Sequence, residues 1–304
     1  MDSAALAYAS TLLLAGPAEW AVHKYLLHSK KRPTTFIENA SIAHNDNHHG
    51  AFRGPHHYYR DITNDHVTVH FGAKDVALIG LGTGAYGAAL TAIPGVGVGA
   101  IIGGALGGLT AYGLYEGTHH YMHVVGERRL QIGRHFGDIA QNGNRDGKLR
   151  LPKPTLDALC DVVDDALKGK DTPFKYADNC AQVLQDQNIT RPVPELIAQT
   201  VSQLQNWEEE FYTNASKKEI KQYNSDRKMQ RLLRRVPLFT KLDNHHFLHH
   251  VRLGNNLNVV WTWWDSVIRT KADSSEEVLL ANKRYWLCPN SPDTEKFELK
   301  PKVT

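Results

Sequence analysis

The residues best suited to chemistry in this chain are histidines, and the densest group lies at residues 244–252, N-H-H-F-L-H-H-V-R. On a helix, residues i, i+3 and i+4 share one face, so His246, His249 and His250 are predicted to converge and His245 to point aside. Imidazoles are poor core material but good ligands for iron, zinc, copper and nickel. Taken alone, the segment leaves two interpretations open, a metal site and a solvated polar tract.

Three further histidine clusters precede this one and favour the metal site. Their patterns are H-x4-H, H-x3-H-H and H-x3-H. With the group above, the candidate metal ligands are His23, His28, His44, His48, His49, His119, His123, His246, His249 and His250. Ten imidazoles exceed what one ion can bind, and they fit two metal ions with open positions.

Other polar residues near the clusters are assigned supporting roles. Asp46 and Glu116 are predicted to orient ligand rings rather than to bind metal. The remaining histidines are expected in an outer shell or on the surface: His56, His57, His66, His70, His120, His135 and His245.

Composition limits the class of protein. The 304 residues allow one large domain or two smaller ones, and a formal net charge of +3 is too small to indicate nucleic-acid binding. The three cysteines are widely spaced and form no C-x-x-C pair, which argues against a disulfide framework and fits a reducing compartment.

Two regions are predicted to cross a membrane, despite a mean hydropathy of −0.42. The first is Ala4–Leu27, with a buried soluble helix as the alternative. The second, Val76–Tyr115, carries no charged residue and is interrupted by Pro94-Gly95, so we expect two spans, about Val76–Ile93 and Val96–Tyr115. The many glycines of this region would allow close helix contact in lipid.

The expected fold class is therefore an all-α integral membrane helical bundle of about three spans. Basic residues flank the side that carries the histidines, so the positive-inside rule places the metal site on the cytoplasmic side. Three regions are predicted: a membrane part with the first three histidine clusters at 1–129, a soluble helical insert at 130–237, and the fourth cluster with a tail at 238–304.

Four motifs in this order resemble those of the fatty acid hydroxylase/sterol desaturase superfamily. The segments E-W-A-V-H-K-Y-L-L-H and H-H-F-L-H-H are similar to its first and last histidine boxes. G-G-L-T-A-Y-G-L-Y-E-G-T-H-H-Y-M-H resembles the last span and third box of fatty-acid 2-hydroxylases, and W-W-D-S-V-I-R-T resembles the family's closing motif. The likeness covers about Ala4–Val125 and Phe239–Thr270.

This resemblance implies a dinuclear-metal oxygenase that hydroxylates a C–H bond of a lipid in the bilayer. It implies that the ten histidines bind two metal ions, usually iron, with zinc as an alternative in the resting protein. Electrons would come from a separate donor of cytochrome b5 or ferredoxin type, because nothing in this sequence resembles the cytochrome b5 domain that is fused to some fatty-acid 2-hydroxylases. The chain departs from the family by its long insert and by one extra residue in the second box, which makes His44 the least secure ligand.

Two alternatives stay open at this stage. The same metal centre could desaturate a lipid or oxidise it in another way, since the boxes do not separate these outcomes. The chain could also be a membrane protein that binds metal without oxygen chemistry. Oligomers are compatible with either reading.

Overall fold

The computed structural model describes residues 2–53, 73–123, 126–141, 149–169, 177–187, 189–272, 285–287 and 303. This part of the chain is mostly helical. The α-helices are α1 Ser3–Val22, α2 Thr35–Ser41, α3 His49–Ala51, α4 Ala73–Leu90, α5 Gly99–His123, α6 Glu127–Ala140, α7 Lys153–Ala166, α8 Ala177–Gln185, α9 Val193–Asn214, α10 Lys217–Leu233, α11 Pro237–Val251 and α12 Trp263–Val267. Two π-helical segments, π1 His23–Leu27 and π2 Ile42–His48, continue α1 and α2.

Helices α1, α4 and α5 pack closely against one another because glycines face their neighbours. A β-carbon at Gly103 of α5 would lie 2.1 Å from the carbonyl oxygen of Ala4 in α1, and one at Gly104 would lie 2.4 Å from the carbonyl oxygen of Thr83 in α4. Such distances exclude any side chain at these positions. The break between α4 and α5 contains Pro94-Gly95, as predicted, with Gly95 at φ +88°.

The prediction of an integral membrane bundle, with its site on the cytoplasmic side, is wrong by this structure. No helix among the described residues is long and apolar enough to cross a membrane. In α5 the physical reason is glycine content: seven of its 25 residues are glycine, which adds length to a helix without adding apolar side chain. A segment without charged residues is therefore not necessarily apolar enough to cross a membrane. Helix α1 has one glycine, and its apolar residues are diluted by Ser3, Ser10, Thr11 and Glu19. The apolar side chains that α1, α4 and α5 do carry include exposed ones, such as Leu13, Leu81 and Ile102.

The region after α5 forms a helical layer with its own core. Buried side chains of α6, α7, α8 and α9 pack together, among them Phe136, Leu156 and Leu196. Phe247 and Leu248 of α11 belong to the same core, so this layer packs directly on the helix that carries the last histidine cluster. A short antiparallel pair, β1 Arg150–Pro152 with β2 Tyr285–Leu287, lies beside α7 and is the one β element of the described residues.

Candidate metal centre

The structure brings all ten predicted ligands together, in two groups of five. The first histidine group consists of His23, His28, His44, His49 and His249, and the second consists of His48, His119, His123, His246 and His250. Within each group, one ring nitrogen from every member lies within 4.8 Å of the others. The groups are adjacent, since Nδ1 of His49 lies 3.1 Å from Nδ1 of His250.

The first group is built on the two π-helical segments. His23 and His28 are five residues apart, and the backbone N–H of His28 donates to the carbonyl oxygen of His23 at 2.9 Å. His49 likewise donates its backbone N–H to the carbonyl oxygen of His44. A π turn places residues i and i+5 above one another, which an α-helix does not. The extra residue of the second cluster is accommodated in this way, and His44 lies in the middle of the group.

The second group is built on ordinary α-helical spacing. His119 and His123 lie one turn apart near the end of α5, and His246 and His250 lie one turn apart on α11. His48, at the end of π2, completes this group. Adjacent residues therefore serve different groups twice, His48 beside His49 and His249 beside His250, because neighbours on a helix point about 100° apart.

The nitrogen positions of the first group fit a bound cation. Nε2 of His44 lies 2.9 Å from Nε2 of His23 and 3.1 Å from Nε2 of His49, and Nε2 of His249 lies 3.2 Å from Nε2 of His28 and 3.1 Å from Nε2 of His49. A neutral ring nitrogen carries one hydrogen or one lone pair, so it cannot satisfy two such neighbours. Two ligands about 2.1 Å from a shared ion, at right angles, are about 3.0 Å apart.

The ring nitrogens of the second group are also close enough together to share a cation. Nε2 of His246 lies 2.9 Å from Nε2 of His123 and 3.0 Å from Nε2 of His250. Nε2 of His119 is buried and has no hydrogen-bond partner among the described residues. Both groups can therefore hold a metal ion through imidazole nitrogens, which is compatible with a dinuclear site; the metal is not identified by these distances.

Hydrogen bonds behind the rings fix which nitrogen faces each group. Nδ1 of His249 donates to the carbonyl oxygen of Asn255 at 2.8 Å, and Nδ1 of His250 donates to the carbonyl oxygen of Phe52 at 3.1 Å. A carbonyl oxygen can only accept, so each Nδ1 carries the hydrogen and each Nε2 keeps its lone pair. These carbonyl contacts were not predictable from the sequence.

Burial keeps these imidazoles neutral. Removal from water, followed by the effect of neighbouring histidines, holds the pKa of a ring well below its usual range. This applies to six ligands: His23, His44, His49, His119, His246 and His250. Burial likewise lowers the pKa of His249 to about 3. Neutral imidazole is the form that binds metal, so the groups are ready to bind at neutral pH.

His245 has a buried partner that the sequence did not reveal. Its Nε2 donates to Oδ2 of Asp265 at 3.0 Å, and that carboxylate also accepts the backbone N–H groups of Leu257 and Asn258 and the hydroxyl of Thr270. Asp265 is the aspartate of the W-W-D-S-V-I-R-T motif. The motif therefore fastens the chain after α11 to the helix that supplies three candidate ligands.

A second carboxylate, that of the half-buried Glu19, fastens the same loop to α1. It accepts a hydrogen bond from the Asn258 side chain at 3.2 Å and from the backbone N–H groups of Val259, Val260 and Trp261. Burial raises the pKa of Glu19 to about 7, although these four donors lower it. Glu19 lies one turn before His23, so this contact sets the position of the first group.

The other predicted residues are placed as follows. Asp46 accepts from the Asn45 side chain at 3.2 Å, and Oδ1 of Asn45 lies 3.1 Å from Nδ1 of His28, so Asp46 contacts a ligand ring through one intermediate. Glu116 is half-buried on α5, and its orienting role stays a prediction. Besides His245, the histidines outside both groups are His120 and His135, which are half-buried, and His56, His57, His66 and His70, which lie outside the described residues.

An apolar cavity of about 260 Å³ extends from the first group between α1, α4 and α5. His23 forms part of its wall, beside Glu19 and Tyr115. The rest of the lining is mainly aliphatic and aromatic: Leu14, Ala15, Ala18, Val22, Leu27, Ile79, Tyr86, Ala111, Tyr112 and Trp261. A cavity of this kind can hold an uncharged chain with one end close to the imidazoles.

Comparisons of the chain with protein-family models, with curated proteins and with solved structures found no match. The likeness to fatty acid hydroxylases accordingly rests on the motifs alone.

Proposed function

We propose that this protein is a dinuclear-metal oxygenase that inserts one oxygen atom of O2 into a C–H bond of a fatty acyl chain or a related lipid. The observation that carries this proposal is the apolar cavity, because its wall includes a member of the first histidine group. A metal store has no need of an apolar cavity at its ligands. An enzyme that oxidises a hydrocarbon chain needs one.

The proposed reaction is RH + O2 + 2 e⁻ + 2 H⁺ → ROH + H2O. One C–H bond and the O–O bond break, one oxygen enters the product, and an external reductant supplies two electrons. Redox-active metal ions held by the two groups would supply the O2 chemistry. Iron is the proposed metal, because imidazole suits it and because the resembled family uses it.

The residues of the chain have three tasks in this proposal. The ten histidines hold the ions through neutral nitrogens. Asp265 and Glu19 fix α11 and α1, and the ligands on them, against the loop at 256–261. The aliphatic wall of the cavity binds the substrate chain, excludes water and holds one carbon near the first group. Tight positioning of this kind lowers the entropic part of a barrier.

Oxygen uptake tests the proposal. The full chain, loaded with Fe²⁺, is reduced without oxygen by dithionite through a neutral mediator, freed of excess dithionite and mediator, and then mixed with a saturated fatty acid in ¹⁸O2. The expected product carries one ¹⁸O atom and forms in proportion to the O2 consumed. His44→Ala should abolish the product, whereas His120→Ala should leave it.

Two outcomes would overturn the proposal. Variable metal loading without O2 consumption would indicate a metal-binding protein instead. Loss of two hydrogens from the lipid without incorporation of ¹⁸O would indicate a desaturase, which needs the same metals and the same reductant.

A further inference from the structure

One side of α10 is a basic face with no role in the site described above. Lys217, Lys221 and Lys228 recur at helical spacing on this side, and Arg235 continues the row in the turn that follows the helix. All four are exposed, and Leu232 lies among them with 57% of its surface exposed. The opposite side of α10 is buried through Tyr223 and Gln230.

Charge is distributed unevenly along this chain. Between Lys217 and Lys241 there are nine basic and two acidic residues, whereas the whole chain has a formal net charge of only +3. The rest of the chain is therefore net acidic. Within the described part of the chain, Lys221, Lys228 and Arg235 form no ion pair, whereas Arg227 and Arg234 of the same segment pair with Glu208 and Asp161.

The buried side of α10 contacts the chain that carries the second histidine group. The hydroxyl of Tyr121, between His119 and His123, donates to Oδ1 of Asp226 at 3.3 Å. A β-carbon at Gly126 would lie 3.4 Å from Cγ of Gln230. The basic face is thus separated from this part of α5 by one helix, about 10 Å in diameter.

We infer that the basic face of α10, formed by Lys217, Lys221, Lys228, Leu232 and Arg235, is the docking surface for an acidic one-electron carrier protein. This inference rests on the proposed function, which consumes two electrons per turnover. An acidic carrier complements the charge of the face, and Leu232 offers an apolar contact at its centre. Each encounter would pass one electron toward the second histidine group.

A carrier protein fits the chain better than a bound dinucleotide. The sequence contains one G-x-G-x-x-G, at residues 82–87, but it lies inside α4 with no strand before it among the described residues. Phosphate binding requires free backbone N–H groups at a helix N-terminus after a tight turn, and the interior of a helix has none to offer. The reductant is therefore assigned to a second protein.

The test compares two triple variants of the metal-loaded full chain. The face variant reverses the charge of the basic face by Lys221→Glu, Lys228→Glu and Arg235→Glu. The control variant carries the same change of total charge at exposed positions outside the basic face: Lys74→Glu, Lys168→Glu and Lys271→Glu. The probes are an acidic [2Fe–2S] ferredoxin and the soluble domain of an acidic cytochrome b5. Affinity is measured by titration at low and at physiological salt, and electron transfer by stopped-flow absorbance.

The face variant should bind at least one probe about tenfold more weakly than the wild type, with a shallower salt dependence, since it lacks the complementary charges. The control variant should bind as the wild type does. Product formation with dithionite and a neutral mediator should be unchanged in both, so a failure of docking is distinguished from a failure of the oxygenase chemistry. If that activity is absent in the wild type, the titrations still test the docking surface.

Three results would overturn the inference. Equal weakening in both triple variants would show an effect of total charge only. Binding of both probes by the wild type that is unaffected by the face variant would place the docking surface elsewhere. Tighter binding of a single-stranded oligonucleotide than of either carrier would show that the face binds nucleic acid.

Discussion

The two histidine groups have similar composition but different architecture. In the first, four members form pairs five residues apart on π turns, and it borders an apolar cavity. In the second, four members form pairs four residues apart on α-helices, and it adjoins the helical layer that follows α5. In each, the fifth member comes from a helix whose neighbouring residue serves the other group. Shared helices thus hold the two groups at a fixed separation.

The difference suggests a division of tasks between the groups. A π turn widens a helix locally and is less favourable than an α turn, so it is retained where it positions a functional residue. The first group, beside the cavity, is proposed to act on the substrate. The second, which is separated from the basic face of α10 by that helix, is proposed to receive electrons.

Removal of one residue from π2 should have the largest effect on the difference between the two histidine groups. Deletion of Asn45 shortens the spacing of His44 and His49 from five residues to four. The first group should lose its metal, so that content falls from about two ions per chain to about one, because displaced ligands lower affinity by more than about 100-fold. Metal analysis by mass spectrometry measures this. Asn45→Ala is the control: it removes the contact with His28 but keeps the five-residue spacing, so it should retain two ions, with affinity in the first group lowered by at most about 10–100-fold. Loss of both ions in the deletion variant would contradict independent groups.

Substitution of a single ligand should have the next largest effect and should remove the metal of one group only. His44→Ala should empty the first group and His246→Ala the second, each leaving about one ion per chain, since each ring contacts two others in its group. His120→Ala, on the same helix as the second group, should keep both. If either ligand variant retained two tightly bound ions, that histidine would not be a ligand.

Asp265 should affect both groups alike, because it fastens the helix that supplies ligands to each. Its side chain is fully buried and accepts four hydrogen bonds, so Asp265→Asn should lower the free energy of unfolding by about 2–3 kcal/mol. Guanidinium denaturation of the metal-free protein measures the loss. A difference below about 0.5 kcal/mol would be typical of a surface substitution and would contradict this role.

The difference in the free energy of unfolding between the wild type and Asp265→Asn should depend on pH. Burial would raise the pKa of Asp265, but its hydrogen bonds, led by His245, lower it below the usual range. The stabilisation is therefore complete above the unfolded-state pKa of about 3.9 and is lost as the pH falls through the lower folded-state pKa. The gap between wild type and Asp265→Asn should be constant from pH 7 to 5 and should shrink below about pH 4. A gap that grew in acid would contradict the assignment.

Narrowing the apolar cavity should have the smallest effect of these changes. It should weaken substrate binding and leave metal binding unchanged. Ala15→Phe adds a ring to the wall of the cavity and should weaken fatty acid binding about tenfold, or about 1.4 kcal/mol, with two ions retained. Ala9→Phe adds the same ring to an exposed position of α1 outside the cavity and is the control. Calorimetric titration with a fatty acid distinguishes them; equal affinities would place the substrate elsewhere.

Much of the site was predictable from residue type and local spacing. The ten histidines are the ten that the structure gathers. Spacing alone placed His246, His249 and His250 together, but the structure divides them between two groups. That division depends on which helices face α11, and no local pattern in the sequence contains it.

Other features could not be obtained from the sequence. The π turns were not predicted, so His44 was ranked the least secure ligand, although its Nε2 lies within 3.1 Å of the Nε2 atoms of His23 and His49. The membrane bundle was wrong because absence of charge was weighed without the glycines that dilute apolar surface. The Asp265–His245 bond joins residues of one motif and one cluster whose contact requires the fold.

Anomalous X-ray diffraction at the absorption edge of iron, on crystals of the Fe²⁺-loaded chain, tests the central claim most directly. Two peaks are predicted, one among the ring nitrogens of the first histidine group and the other among those of the second. A single peak between the groups, or peaks away from these imidazoles, would contradict the account.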